Sequence, residues 1–181
     1  MSTLYKITCF IQHEPKTLFP LLNPLGFIQS RENTLVWRKG QYCFTIAPFS
    51  SKGRETQGYR VYFNGSPEAG QYLFEQTIGR YSPRIRGVEY QTSLGKTQHE
   101  MVNIADRLFK RGCMYGVYET NNRIGIIVLP NGDIVIQLRN IPIKVHKLTD
   151  YMREIEQVLD KIRPDTFDLF SYLEEETEVV V

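Results

Sequence analysis

The chain has 181 residues, 41% hydrophobic and 23% charged, enough for one full core or two small subdomains that fold without help. No stretch approaches the length that spans a bilayer, and Met1-Ser2-Thr3-Leu4-Tyr5-Lys6 lacks the basic segment and apolar run of a secretion leader, so a cytosolic or nuclear chain without membrane association is expected. The net charge of +2 conceals an asymmetry: residues 147 to 181 hold 4 Lys/Arg against 10 Asp/Glu, while residues 1 to 146 hold 18 against 10. A basic body suggests an anionic partner, and an acidic tail is able to lie across the same surface until a partner displaces it.

In chain order, Leu4 to Gln12 is rich in β-branched and aromatic residues and reads as a strand, followed by a short helix around 16 to 22. A meander comes next: Phe27 to Arg31, a turn at Glu32-Asn33, Thr34 to Arg38, a turn at Lys39-Gly40, and Gln41 to Pro48. A polar loop leads to Gly58 to Phe63. Asn64-Gly65-Ser66 reads as a turn, and Ser66-Pro67 starts a helix to about Arg80, because serine caps free amides and proline at the first helical position gives up no needed bond.

The order then recurs. Ile85 to Ser93 reads as a strand, and Thr97-Gln98-His99-Glu100 is a capping box opening a helix with the apolar stripe Met101, Ile104 and Leu108. Met114 to Thr120, a turn at Asn121-Asn122, Arg123 to Leu129, a turn at Asn131-Gly132, and Asp133 to Arg139 make a second meander, with Ile141 to Val145 as a further strand. A closing helix over 149 to 162 carries Met152, Ile155, Leu159 and Ile162 on one face and stops at Pro164. The fold class is therefore α+β: two pseudo-repeats of strand, helix, antiparallel meander and helix, at 1–82 and 83–164, packed as one unit with helices on one face of a mainly antiparallel sheet, and an acidic tail at 165–181. An offset of 92 lays Leu35–Phe44 over Ile127–Ile136.

Motifs that suggest chemistry have plainer readings. Leu94-Gly95-Lys96-Thr97 stands between strand and helix like the end of a phosphate-binding loop, but Tyr90 occupies the place of the first glycine, and the turn is read as a cap. His99-Glu100 opens like a zinc-protease helix, yet the residue one turn on is Asn103. Cys9, Cys43 and Cys113 have no pair spacing and are read as buried thiols. No catalytic residues, metal ligands or cofactor are assigned, and a non-enzymatic role is favoured over catalysis.

Basic and aromatic residues are most densely interleaved at Arg80, Arg84 and Arg86 with Tyr81 and Tyr90, a composition that suits nucleic acid. Lys110-Arg111-Gly112 reads as a helix end, where cations complement the carboxyl terminus and glycine turns left-handed, or as a phosphate contact. Alternation puts Leu35 and Trp37 on one face of a strand and Val36 and Arg38, followed by Lys39, toward water. Trp37 reads either as core or as a binding residue.

The two-repeat pattern, with the hairpins Thr34–Thr45 and Arg123–Val135, resembles the saddle of the TATA-box-binding protein family. The resemblance implies wedging residues at Trp37 and Leu129 and phosphate-contacting arginines at Arg31 and Arg123, with Gln41 and Asp133 where that family has lysines. The leading expectation is a nucleic-acid-binding module using Arg31, Trp37, Arg38, Lys39, Arg80, Arg84, Arg86, Lys110, Arg111 and Arg123. The alternative is a protein-interaction domain that docks a partner through a sheet face or through Phe167, Phe170, Tyr172 and Leu173 in the acidic tail. A third reading is a small-molecule-binding or catalytic α+β domain with a pocket between helix and sheet. A positive stripe, an apolar patch and an enclosed polar pocket are the respective discriminating features.

Overall fold

Alternation along β1, Leu4–Ile11, sends Tyr5, Ile7, Cys9 and Ile11 into the core and leaves Lys6 and Thr8 on the opposite face. The computed structural model, which describes residues 4–30, 33–49, 57–120, 123–139 and 148–166, follows this strand with α1, Pro15–Leu22. Pro15 begins α1, and Leu18, Phe19 and Leu22 form its buried stripe. A 3-10 turn, Asn23–Leu25, then ends at Gly26, whose φ of 98° is the left-handed stop that glycine adopts without strain.

The first meander comprises β2 (Ile28–Gln29), β3 (Leu35–Lys39), β4 (Tyr42–Phe49) and β5 (Gln57–Asn64). It is followed by α2, Pro67–Gln76, which starts where Ser66 Oγ accepts from the Ala69 amide at 3.2 Å. The helix expected to reach Arg80 ends at Gln76. Thr77 Oγ1 donates to the Leu73 carbonyl at 2.7 Å, competing for a helical acceptor, and the chain continues as a 3-10 turn, Ile78–Tyr81.

The second half contains β6 (Arg84–Thr92), α3 (Gln98–Leu108), β7 (Lys110–Arg111), β8 (Val117–Glu119), β9 (Ile124–Val128), β10 (Ile134–Leu138) and α4 (Leu148–Thr166). The capping box at Thr97 is present in both directions: Thr97 Oγ1 accepts from the Glu100 amide and Glu100 accepts from the Thr97 amide. Leu108, the last residue of α3, is 37% exposed rather than buried with Met101 and Ile104. α4 runs through Pro164 rather than stopping there: the proline removes one amide donor, and the turns before it are already closed. The segment 141–145 lies outside the described residues.

Ten strands among the described residues form one antiparallel sheet, ordered β2-β3-β4-β5-β1-β6-β10-β9-β8-β7. β1 and β6 lie at the centre, paired through Tyr5 with Tyr90 and Ile7 with Val88. Reading outward, each half presents its first strand, then its fifth, fourth, third and second. This order corrects the offset of 92, which lays β3 and β4 over β9 and β10. Those pairs hold different ranks from the centre, and hairpins of equal apolar alternation match at either rank.

The helices cover one face. Met152, Ile155, Leu159 and Ile162 of α4 are all buried, and α4 packs against β6, β10, α2 and α3. Burying a Leu, Ile or Met side chain contributes about 1.5–3 kcal/mol, so this stripe is a main anchor of the helical layer. Among the described residues no helix is long and apolar enough to cross a membrane.

Candidate functional site

No described helix packs on the other face of the sheet, and its middle can be followed strand by strand. Val36 pairs with Thr45, Thr45 with Tyr62, and Tyr62 with Lys6. Across the central seam Lys6 pairs with Glu89, Glu89 with Gln137, Gln137 with Gly125, Gly125 with Glu119, and Glu119 with Lys110. Every side chain in this row is half-buried or exposed.

Beside the row lies a trough of about 610 Å³, lined by Lys6, Thr8, Phe49, Arg60, Arg84, Arg86, Gly87, Glu89 and Arg139. A bulge creates it. Thr8 pairs with Gly87 but Cys9 pairs with Ile85, so Arg86 is the extra residue on β6. Strict alternation would place Arg84, Arg86 and Val88 on one face. The bulge shifts the parity instead, so that both arginines face the trough while Val88 and Tyr90 stay in the core. Arg60 pairs with Thr8 from β5, and Arg139, which continues β10 past the Leu138–Val88 pair, borders the floor from the other side.

The electrostatics of the trough are one-sided. Lys6 Nζ stands 2.9 Å from Glu89 Oε2, Gln137 Nε2 donates to Glu89 Oε1 at 2.9 Å, and Arg139 Nε donates to Gln137 Oε1 at 3.1 Å. Glu89 is thus tied to Lys6 and Gln137, whereas Arg60, Arg84, Arg86 and Arg139 have no carboxylate partner among the described residues. Arg60 lies over the Phe49 ring, with its guanidinium carbon 4.7 Å from the ring centroid, a cation–π contact that fixes this cation beside the trough. Four planar cations around an open depression are suited to hold an anion by bidentate hydrogen bonds.

The structure brings together only some of the residues singled out from sequence. Arg84 and Arg86 line the trough, and Arg38 and Lys110 lie on the same open face toward opposite ends of the sheet. Lys39 is exposed at the tip of the β3–β4 hairpin. Trp37 is half-buried against the core on the helical side, with its indole against Gly26. Arg80 donates to Gln76 Oε1 at 3.1 Å beside α2. Arg111 reaches back to α3, donating to both oxygens of Asp106 at 2.7 and 2.6 Å, and Arg123 pairs with Glu154 of α4 at 2.9 Å. Arg31, Phe167, Phe170, Tyr172 and Leu173 lie outside the described residues. Sequence reasoning passed over Lys6, Arg60 and Arg139. A lone arginine at the outward position of the apolar run Gly58–Phe63 was the available signal for Arg60.

Several local readings change. Lys110 and Arg111 form an edge strand rather than the end of α3, and the left-handed glycine there is Gly116, with φ 77°, because the 113–116 turn closes the β7–β8 hairpin. Cys9 is buried, and desolvation pushes its thiol up to about 12, but Cys43 is half-buried and Cys113 exposed, since the same turn carries Cys113 away from the core. Asp106 also accepts from Tyr118 Oη at 2.9 Å; its bonds from Arg111 and Tyr118 hold its carboxyl below the usual range, while burial and that bond raise Tyr118 to about 12. At Leu94–Thr97 the backbone is used by the fold: a side chain on Gly132 would collide with the Lys96 carbonyl, so the β9–β10 turn seats directly on this loop. Among the described residues no three His, Cys, Asp or Glu side chains stand together as metal ligands.

No protein-family model matches the chain, and no curated protein does. Among solved structures it is similar to Methanococcus jannaschii TBP, at 12% sequence identity and a TM-score of 0.32, over 90% of this chain and 95% of that one.

Proposed function

We propose that the chain is a non-enzymatic nucleic-acid-binding module whose open sheet face receives the sugar–phosphate backbone, centred on the trough at the β1–β6 seam. The observation that supports this reading is the set of four arginines on that face without a carboxylate partner among the described residues. Arg84, Arg86, Arg60 and Arg139 provide the central contacts, with Arg38 and Lys110 extending the cationic path toward either end. Binding energy comes mainly from Lys/Arg to phosphate, so affinity falls steeply with salt. The acidic tail, with five Asp/Glu and no Lys/Arg over residues 167–181, competes for the same cations.

Fluorescence polarisation of the full chain with labelled single-stranded and duplex DNA and RNA, at low and moderate salt, tests the reading. Salt-sensitive binding lost in the Arg84→Glu, Arg86→Glu double variant is the expected result. Absence of binding to every probe at low salt overturns it and favours the protein-docking alternative.

A further inference from the structure

We infer that the floor of the trough is a subsite for a terminal phosphate, the phosphomonoester at the end of a nucleic-acid strand or on a nucleotide. The inference rests on the nucleic-acid reading for its ligand and adds which chemical group the trough takes.

The floor is built from two small residues in register, Thr8 of β1 and Gly87 of β6. Among the described residues no backbone strain or close contact requires glycine at 87. Its φ is not positive, and among the described residues a Cβ there would meet only the Leu138 carbonyl oxygen, at an ordinary 3.5 Å. Glycine weakens a strand interior and most often marks a bulge or the close approach of another group. Gly87 flanks the bulge at Arg86, and among the described residues its missing side chain leaves space beside the Thr8 hydroxyl, which has no hydrogen-bond partner among them.

Charge selects the occupant. Arg60 and Arg139 flank the floor across three interstrand spacings, about 14 Å between their backbones, and Arg84 and Arg86 enter from the β6 side. Arginine side chains from opposite walls are able to converge on a group of phosphate size, each offering a forked pair of donors. An internal phosphodiester brings one negative charge. A phosphomonoester brings about 1.5 to 2 at neutral pH and three acceptor oxygens, a closer match to four guanidiniums and a hydroxyl.

The test compares 5′-phosphorylated with 5′-hydroxyl forms of one short oligothymidylate by polarisation and calorimetry on the full chain, with thymidine monophosphate and inorganic phosphate as competitors. The 5′-phosphate form is expected to bind roughly tenfold tighter or more. Gly87→Leu should erase that preference to within about twofold without lowering the melting temperature, and Thr8→Val should reduce it. Equal affinity for the two forms overturns the subsite while leaving backbone binding standing. If neither oligonucleotide binds but thymidine monophosphate does, in a Gly87→Leu-sensitive manner, the subsite stands and the nucleic-acid reading falls. If no phosphate compound binds, both fall.

Discussion

Replacing Arg84 and Arg86 together with glutamine removes two of the four trough cations that lack a carboxylate partner among the described residues, and keeps side chains of similar length on the same strand. Each phosphate neutralised on a single strand contributes about −0.7 to the slope of log affinity against log salt, so losing two backbone contacts makes the slope shallower by about 1.4. Raising sodium chloride fourfold, from about 50 to about 200 mM, should therefore weaken the unaltered chain roughly sevenfold more than the double variant. Polarisation with a labelled single-stranded oligonucleotide measures both slopes. Arg80→Gln is the matched control, because Arg80 lies beside α2 and its guanidinium is hydrogen-bonded to Gln76. An unchanged slope in the double variant, or an equal loss in Arg80→Gln, refutes the trough as the site of phosphate contact.

Other outcomes follow from the packing. Ile155 is fully buried beneath the sheet, and Ile155→Ala should cost about 2–5 kcal/mol in chemical denaturation, whereas Leu108→Ala, at 37% exposure, should cost distinctly less. Thr97→Ala removes one direction of the capping box and should cost about 1 kcal/mol by the same measurement. Asp106→Asn should lower the melting temperature at neutral pH. The folded carboxyl is held below its ordinary value, so its contribution is fully present above the ordinary value and is lost as pH falls from there through the lowered folded value; the melting difference should vanish in strong acid, and a difference independent of pH would refute the role of the Arg111–Asp106 pair. Alkylation of the native chain at neutral pH should label Cys113 first and spare Cys9 until denaturant is added, since Cys9 is buried and its thiol raised to about 12.

Much of the secondary structure was legible because its causes are local. Ser66 and Thr97 cap the helices they precede, and the α4 stripe is buried at all four expected positions. Elements were misjudged where a distant partner or a competing hydrogen bond decided them. Lys110 and Arg111 are a strand only because β8 lies beside them, and α2 stops early because the Thr77 hydroxyl competes for a backbone acceptor.

The candidate site divides the same way. The density of arginine around residues 80 to 86 was visible in the chain, but Arg80 and Arg84 end on different sides of the sheet, and Arg86 shares a face with Arg84 and Gly87 only because β6 bulges against β1. Arg60 and Arg139 come from strands far away in sequence and meet the cluster through β5–β1 and β6–β10 pairing. The α+β class, the order of elements and the basic character of the body rest on periodicity, capping and composition, which the chain carries locally. Which cations converge depends on strand pairing across the sheet. A one-residue shift of parity reverses the face of every side chain beyond it, and strand order is set by pairing energies that no local window contains.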